Sequence, residues 1–185
     1  IKSLADTMKS TGTAMSLGVT APLVGIAAAA VNSAADFEQS MNIMAQVSGA
    51  TADQMATLQA QALEMGAVTS FSAGEAAEAQ LELAKAGMAP LEVMAALPGV
   101  LDAAAAGGMG LAQSASLVSG ALNAFGLDAS ESANVANQLA AAANASAADM
   151  SDLGAGLQQG GFAFAAAGQN LDDLNASLAI LSNVG

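Results

Sequence analysis

The chain of 185 residues carries 16 acids against three lysines, with no arginine, histidine or cysteine. That balance excludes a nucleic-acid interface, which needs a basic footprint, and suits a protein that lies beside DNA without adhering to it. The missing residue types also remove a neutral-pH imidazole base, a thiolate nucleophile, a guanidinium clamp and a disulfide framework.

Apolar residues make up 54% of the chain, with alanine foremost, and the aromatics are five phenylalanines. Such a composition cannot fill a thick core, so helices must approach closely over small residues. Alanine is the best helix former and β-branched residues are few, which predicts an all-α protein.

In chain order, the first helix is expected over 1–16. A long helix follows over 21–48, with Thr20 as its cap and Pro22 in the first turn, where a missing N–H does no harm. At ~1.5 Å per residue it measures about 40 Å. It carries a stripe of Leu23, Ile26, Ala30, Ala34, Phe37, Met41 and Met44, spaced by three and four as in a coiled-coil seam. This stripe is the candidate packing and oligomer surface. Further helices are expected over 52–65, 73–86, 90–106 with a kink or break at Pro98–Gly99, 110–125, 129–145, 147–167 and 171–184. No strand pattern survives: Val68 to Phe71 is the only candidate, and it is too short to matter.

Helix stops are read at Gly49, Gly66, Gly87, Gly107, Gly126, Gly168 and Gly185, since glycine takes the left-handed conformation that ends helices. Starts are read from capping pairs: Thr51 with Gln54, Ser72 with Glu75 and Asp128 with Glu131. Ser146 with Asp149 and Asn170 with Asp173 repeat that spacing with a shorter acid. Links are short, so the expected architecture is an array of antiparallel helical hairpins with one long N-terminal helix. Residues 1–48 would form the N-terminal helices and 49–185 a compact helical domain. The glycine spacing is near-regular, but the residues between do not match one another, which favours a string of similar hairpins over a true solenoid. Ile1 at the start and the lack of a signal segment suggest a piece of a longer protein.

No catalytic constellation, cofactor motif or metal cluster emerges, and the expectation is a protein that is not an enzyme. Glu78 and Glu82 share a helix face, and Glu82 with Lys85 reads as a weak i,i+3 ion pair on a solvated surface. Asp172 and Asp173 favour the positive end of the helix they open. The glycines at 107, 108 and 110 lack the strand and Lys-Ser/Thr context of a phosphate loop.

Several stretches in order carry a resemblance: Val19-Thr-Ala-Pro22 before a small-residue helix, Ala35-Asp-Phe-Glu-Gln-Ser-Met41, Val47-Ser-Gly-Ala-Thr51, Ala62-Leu-Glu-Met-Gly66, Thr69-Ser-Phe-Ser-Ala-Gly-Glu-Ala-Ala77 and Leu83-Ala-Lys-Ala-Gly87. Phe125-Gly126-Leu127 and Ala166-Ala-Gly168 continue the series. Together they resemble the core region of phage tail tape measure proteins of the minor-tail-protein type. The alanine-heavy, acidic body departs from members with more lysine around these helices.

The resemblance implies a structural virion protein in the tail lumen or tip that helps set tail length and leaves before DNA passes. It implies contact with tail tube and tail-tip or baseplate proteins, and self-association as a trimer, with a hexamer as the alternative. It also implies a role in the host envelope at ejection, and no cofactor. Because caps break the segment every twenty residues or so, the residues themselves point to a compact block, not an extended ruler shaft.

Two other readings stand beside it. One is a membrane-active segment: residues 10–35 are uncharged and long enough to span, with a small-residue ladder at Ala21, Gly25, Ala29 and Ser33. The other is an unrelated secreted helical protein.

Overall fold

The computed structural model describes the backbone of residues 21–184 and the side chains of residues 34–184. Among the described residues the chain is helical throughout, with no strand. Its helices are α1 (Ala21–Val47), α2 (Ala52–Val68), α3 (Ala73–Lys85), α4 (Pro90–Gly107), α5 (Leu111–Phe125), α6 (Ser132–Asn144), α7 (Met150–Ala166) and α8 (Leu171–Val184). A single 3-10 turn, Ala129–Glu131, precedes α6. The expected helix over 1–16 and the caps at Thr20 and Gly185 lie outside the described residues.

The helices form two rows. Each of α1 to α6 touches both the next helix and the next but one. The odd-numbered helices therefore stack in one row and the even-numbered ones in the other. The most extensive single contact joins α4 to α6, with α1 on α3 and α3 on α5 close behind. Between α4 and α5 the chain turns through 116°, and at their crossing the buried Ser114 hydroxyl donates to the Val100 carbonyl at 2.7 Å.

Every helix from α2 to α8 contributes at least one leucine to the buried core: Leu58, Leu83, Leu97, Leu122, Leu139, Leu153 and Leu174. α1 contributes Met44, which is fully buried, and Met41. Around these leucines, buried alanines such as Ala62, Ala77, Ala96, Ala103 and Ala121 keep the helix spacing small. Burying a Leu stabilises by about 1.5–3 kcal/mol, so seven of them supply the chief cohesive term.

Local chemistry sets most of the boundaries. Thr51 and Gln54 form the expected reciprocal cap, as do Ser72 and Glu75. Asn170 and Asp173 do the same: each backbone N–H donates to the other's side-chain oxygen, at 3.0 and 2.9 Å. Gly49, Gly87, Gly126 and Gly168 take the expected left-handed conformation.

Five expectations are corrected. The stop placed at Gly107 falls one residue later, at Gly108 (φ 60°), where only the lack of a Cβ makes the turn cheap. Gly66 stops nothing: α2 runs on to Val68, so the strand candidate at 68–71 begins inside a helix. Its role is close packing, because a Cβ there would sit 2.5 Å from the Ala73 backbone nitrogen.

The third correction concerns Asp128. Its side chain accepts from the Ser130 N–H, and this tight turn delays α6 until Ser132. In the fourth, Asp149 caps α7 with Asp152 as its partner, three residues later than the Ser146 pairing allowed. Helix α4 also passes through Pro98 and Gly99 without a break.

Candidate packing surfaces and the tail-protein family

The predicted stripe divides along α1. Met41 and Met44 are buried against α3 in the chain's own core, and Phe37 packs half-buried on its edge. Ala34 is exposed. The side chains of Leu23, Ile26 and Ala30 lie outside the described residues. Beside Ala34 and Phe37 an open groove of about 580 Å³ runs between α1 and α2, with Glu38, Gln59 and Leu63 on its walls and Ala73 and Gly74 at one end.

The acidic face is organised as expected. Lys85 pairs with Glu82 at 2.7 Å on a largely exposed surface, where such a pair contributes little. Asp36, Glu75 and Glu78 line a neighbouring groove between α1 and α3. Glu75 is engaged as the Ser72 cap, and Asp173 as the Asn170 cap. Among the described residues no group of three or more acids is placed to hold a metal ion. The exposed Asp128 carboxyl lies below the ordinary aspartate range, chiefly because the Ser130 hydroxyl donates to it, with the Ser130 N–H adding to the effect.

Inside the stack, a polar bridge explains how α4 tolerates Pro98. Proline has no N–H to offer the Met94 carbonyl four residues back. The Gln61 side chain on α2 donates to that carbonyl instead, at 2.9 Å. Gln61 in turn accepts from the fully buried Gln80 on α3 at 3.1 Å, and Gln80 donates again to the Leu58 carbonyl. Three helices are tied through two glutamines. Immediately after the proline, Gly99 admits the start of α6: a Cβ there would lie 2.3 Å from the Ser132 carbonyl carbon.

None of these residues was visible as a set in the sequence. A mid-helix proline signals an unpaired carbonyl at Met94, yet only the fold shows which donor reaches it. The sequence also gave no warning of the exposed apolar residues Ile180, Leu181 and Val184 on α8.

Among the described residues no single helix is long and apolar enough to cross a membrane. The bent pair α4 and α5 passes on length and composition together, but its apolar residues, such as Leu97, Val100, Val118 and Leu122, are core.

The family described as phage-related minor tail protein matches residues 59–185, from the middle of α2 through α8. The chain belongs to this family. Over 103 residues this minor tail protein is 42% identical to the tape measure protein of Pneumococcus phage Dp-1. That alignment covers 56% of the chain but 9% of the phage protein, so the chain spans well under two thirds of this relative. No solved structure matches the chain. Its place as a helical protein of the phage tail follows from the family, as the ordered motifs of the sequence implied.

Proposed function

We propose that this minor tail protein segment is a non-catalytic, compact helical block of a tape measure protein, not a stretch of its ruler shaft. One observation carries the reading. The helices of α2 to α8 are only 13 to 18 residues long and double back into two rows. A ruler needs length proportional to residue count, at ~1.5 Å per residue of continuous helix. A stack in which each helix lies on the next but one does not convert residues into length that way.

In this reading residues 49–185 are the body of the block and the long first helix is its arm. The block sits at the tail lumen or tip, contacts tail tube and tip or baseplate proteins, and is released at genome ejection. It self-associates, three copies being the expected number and six the alternative. The net charge of −13 supports a component that shares a passage with DNA without binding it.

The test is an in-frame deletion of the α7–α8 pair in the parent phage gene. Loss of assembled tails is expected, because the deletion exposes Leu117 and Ala124 of α5, which pack on α7 beside Gly154 and Gly161. Viable particles with tails shortened in proportion to the deletion would overturn the reading.

A further inference from the structure

A groove of about 410 Å³ runs between α6 and α8. The Ala147 N–H, just past α6, donates to the Asn183 side chain in the last turn of α8 at 2.8 Å, so the C-terminal ends of the two helices lie side by side. The groove is therefore polar at one end, where Gln138, Asp172 and Asn175 stand. Its other end is floored by alanine, with Ala141 and Ala145 on α6 and Ala176 and Ala179 on α8.

Asn175 is 3% exposed, and neither its Nδ2 nor its Oδ1 has a hydrogen-bond partner among the described residues. On the same groove the Gln138 Oε1 is buried and equally unpartnered. A buried carboxamide without partners costs stability. Gln80, by contrast, uses its amide nitrogen to tie two helices together.

We propose that this groove binds an extended peptide segment of a partner protein, with small side chains along the alanine floor and a lysine or arginine beside Asp172. The orphaned atoms select the occupant: one donor, Asn175 Nδ2, and two acceptors, Asn175 Oδ1 and Gln138 Oε1. An extended peptide offers free C=O and N–H groups. Asn175 can pair with one of each, and Gln138 can accept from a further N–H. A helix has already bonded those groups internally, so a helical occupant does not answer these amides. Turning the Asn175 side chain toward the groove brings both atoms to the peptide, because the alanines around it carry nothing beyond Cβ.

Length and charge agree. From Asn137 to Ala145 the α6 wall covers about 12 Å, room for about four extended residues. Asp172 is exposed at the polar end and the chain carries a net charge of −13, so a cationic segment is drawn in. The site is read from the groove alone and holds wherever the block sits in the tail.

The test titrates the full, isotopically labelled chain with the capped peptide KAGAK. The Asn175 side-chain amide signals should shift and saturate, with the backbone amides of Ala141 and Ala176 moving in step. The same peptide N-methylated at its central residues keeps its charge, loses N–H donors and should bind about tenfold more weakly. Ala141→Phe fills the groove from an exposed position and should abolish the shifts while Tm is kept. Asn175→Leu, which keeps the branched shape without polar atoms, should abolish them too. No shift at Asn175 with millimolar peptide, equal binding of the two peptides, or shifts that survive either variant overturn the proposal. Shifts that appear on concentrating the chain with no peptide present also overturn it and assign the groove to a second copy.

Discussion

Gln61→Ala removes the donor that serves the Met94 carbonyl in place of Pro98. Two hydrogen bonds go: Gln61 to Met94 at 2.9 Å and Gln80 to Gln61 at 3.1 Å. Each is worth about 1 kcal/mol net, and leaving Met94 unpaired adds to the loss because its carbonyl sits between α2 and α4. The expected destabilisation is about 2–3 kcal/mol. For a chain of this size that lowers Tm by roughly 4–12 °C.

The cause is isolated by a double-mutant cycle with Pro98→Ala. Pro98 is exposed, so its truncation opens no core cavity. Alanine at 98 restores the backbone N–H, and Met94 then has its ordinary helical partner. In that background Gln61→Ala should cost about 1 kcal/mol less than in the native chain. Urea unfolding of the four proteins measures the coupling. A coupling energy below about 0.3 kcal/mol would show that Gln61 does not substitute for the proline's missing donor.

Other outcomes follow from the same packing. Gly99→Ala should prevent the native contact of α4 with α6, costing about 3 kcal/mol or more, since its Cβ meets backbone atoms of Ser132 and Ala133 that cannot rotate away; the check is thermal unfolding beside Gly120→Ala, which meets only ordinary contacts. Ser72→Ala should cost about 1 kcal/mol by breaking the α3 cap, and should raise amide exchange at Glu75 first. In an NMR titration the Asp128 carboxyl should protonate below the ordinary aspartate value, and Ser130→Ala should move it back up. A folded-state value below the unfolded one makes the Asp128 cap's contribution complete above the unfolded value. It is lost as pH falls through the lower, folded-state one.

How much the sequence revealed depended on how local the cause was. The caps at Thr51, Ser72 and Asn170 are three-residue contacts, and residue type alone sets them. Asp128 shows the limit of that logic: the spacing to Glu131 matched a capping box, but the Ser130 N–H and hydroxyl lay nearer and captured the carboxylate. Gly66 and Gly99 looked like punctuation along the chain and are contact points between helices, a distinction that only the neighbours Ala73 and Ser132 decide. The two rows were hidden for a related reason. Alanine faces such as those of α3 and α4 present little periodic contrast, so the sequence shows that the helices exist and not which of them meet.

The stripe on α1 was legible as a stripe, because three- and four-residue spacing survives in any amphipathic helix. What it packs against was not. Met41 and Met44 meet α3, while Ala34 and Phe37 border the open groove, and nothing in their types separates the two fates.

The central claim is that this segment of a tail protein is a folded block and not a length of shaft. Small-angle scattering of the purified chain tests it directly. A compact chain of 185 residues has a radius of gyration of about 16 Å, and a two-row stack should fall near 16–20 Å. One continuous helix of the same residues would extend about 280 Å, with a radius of gyration on the order of 80 Å. A value near the first supports the block; a value near the second contradicts it.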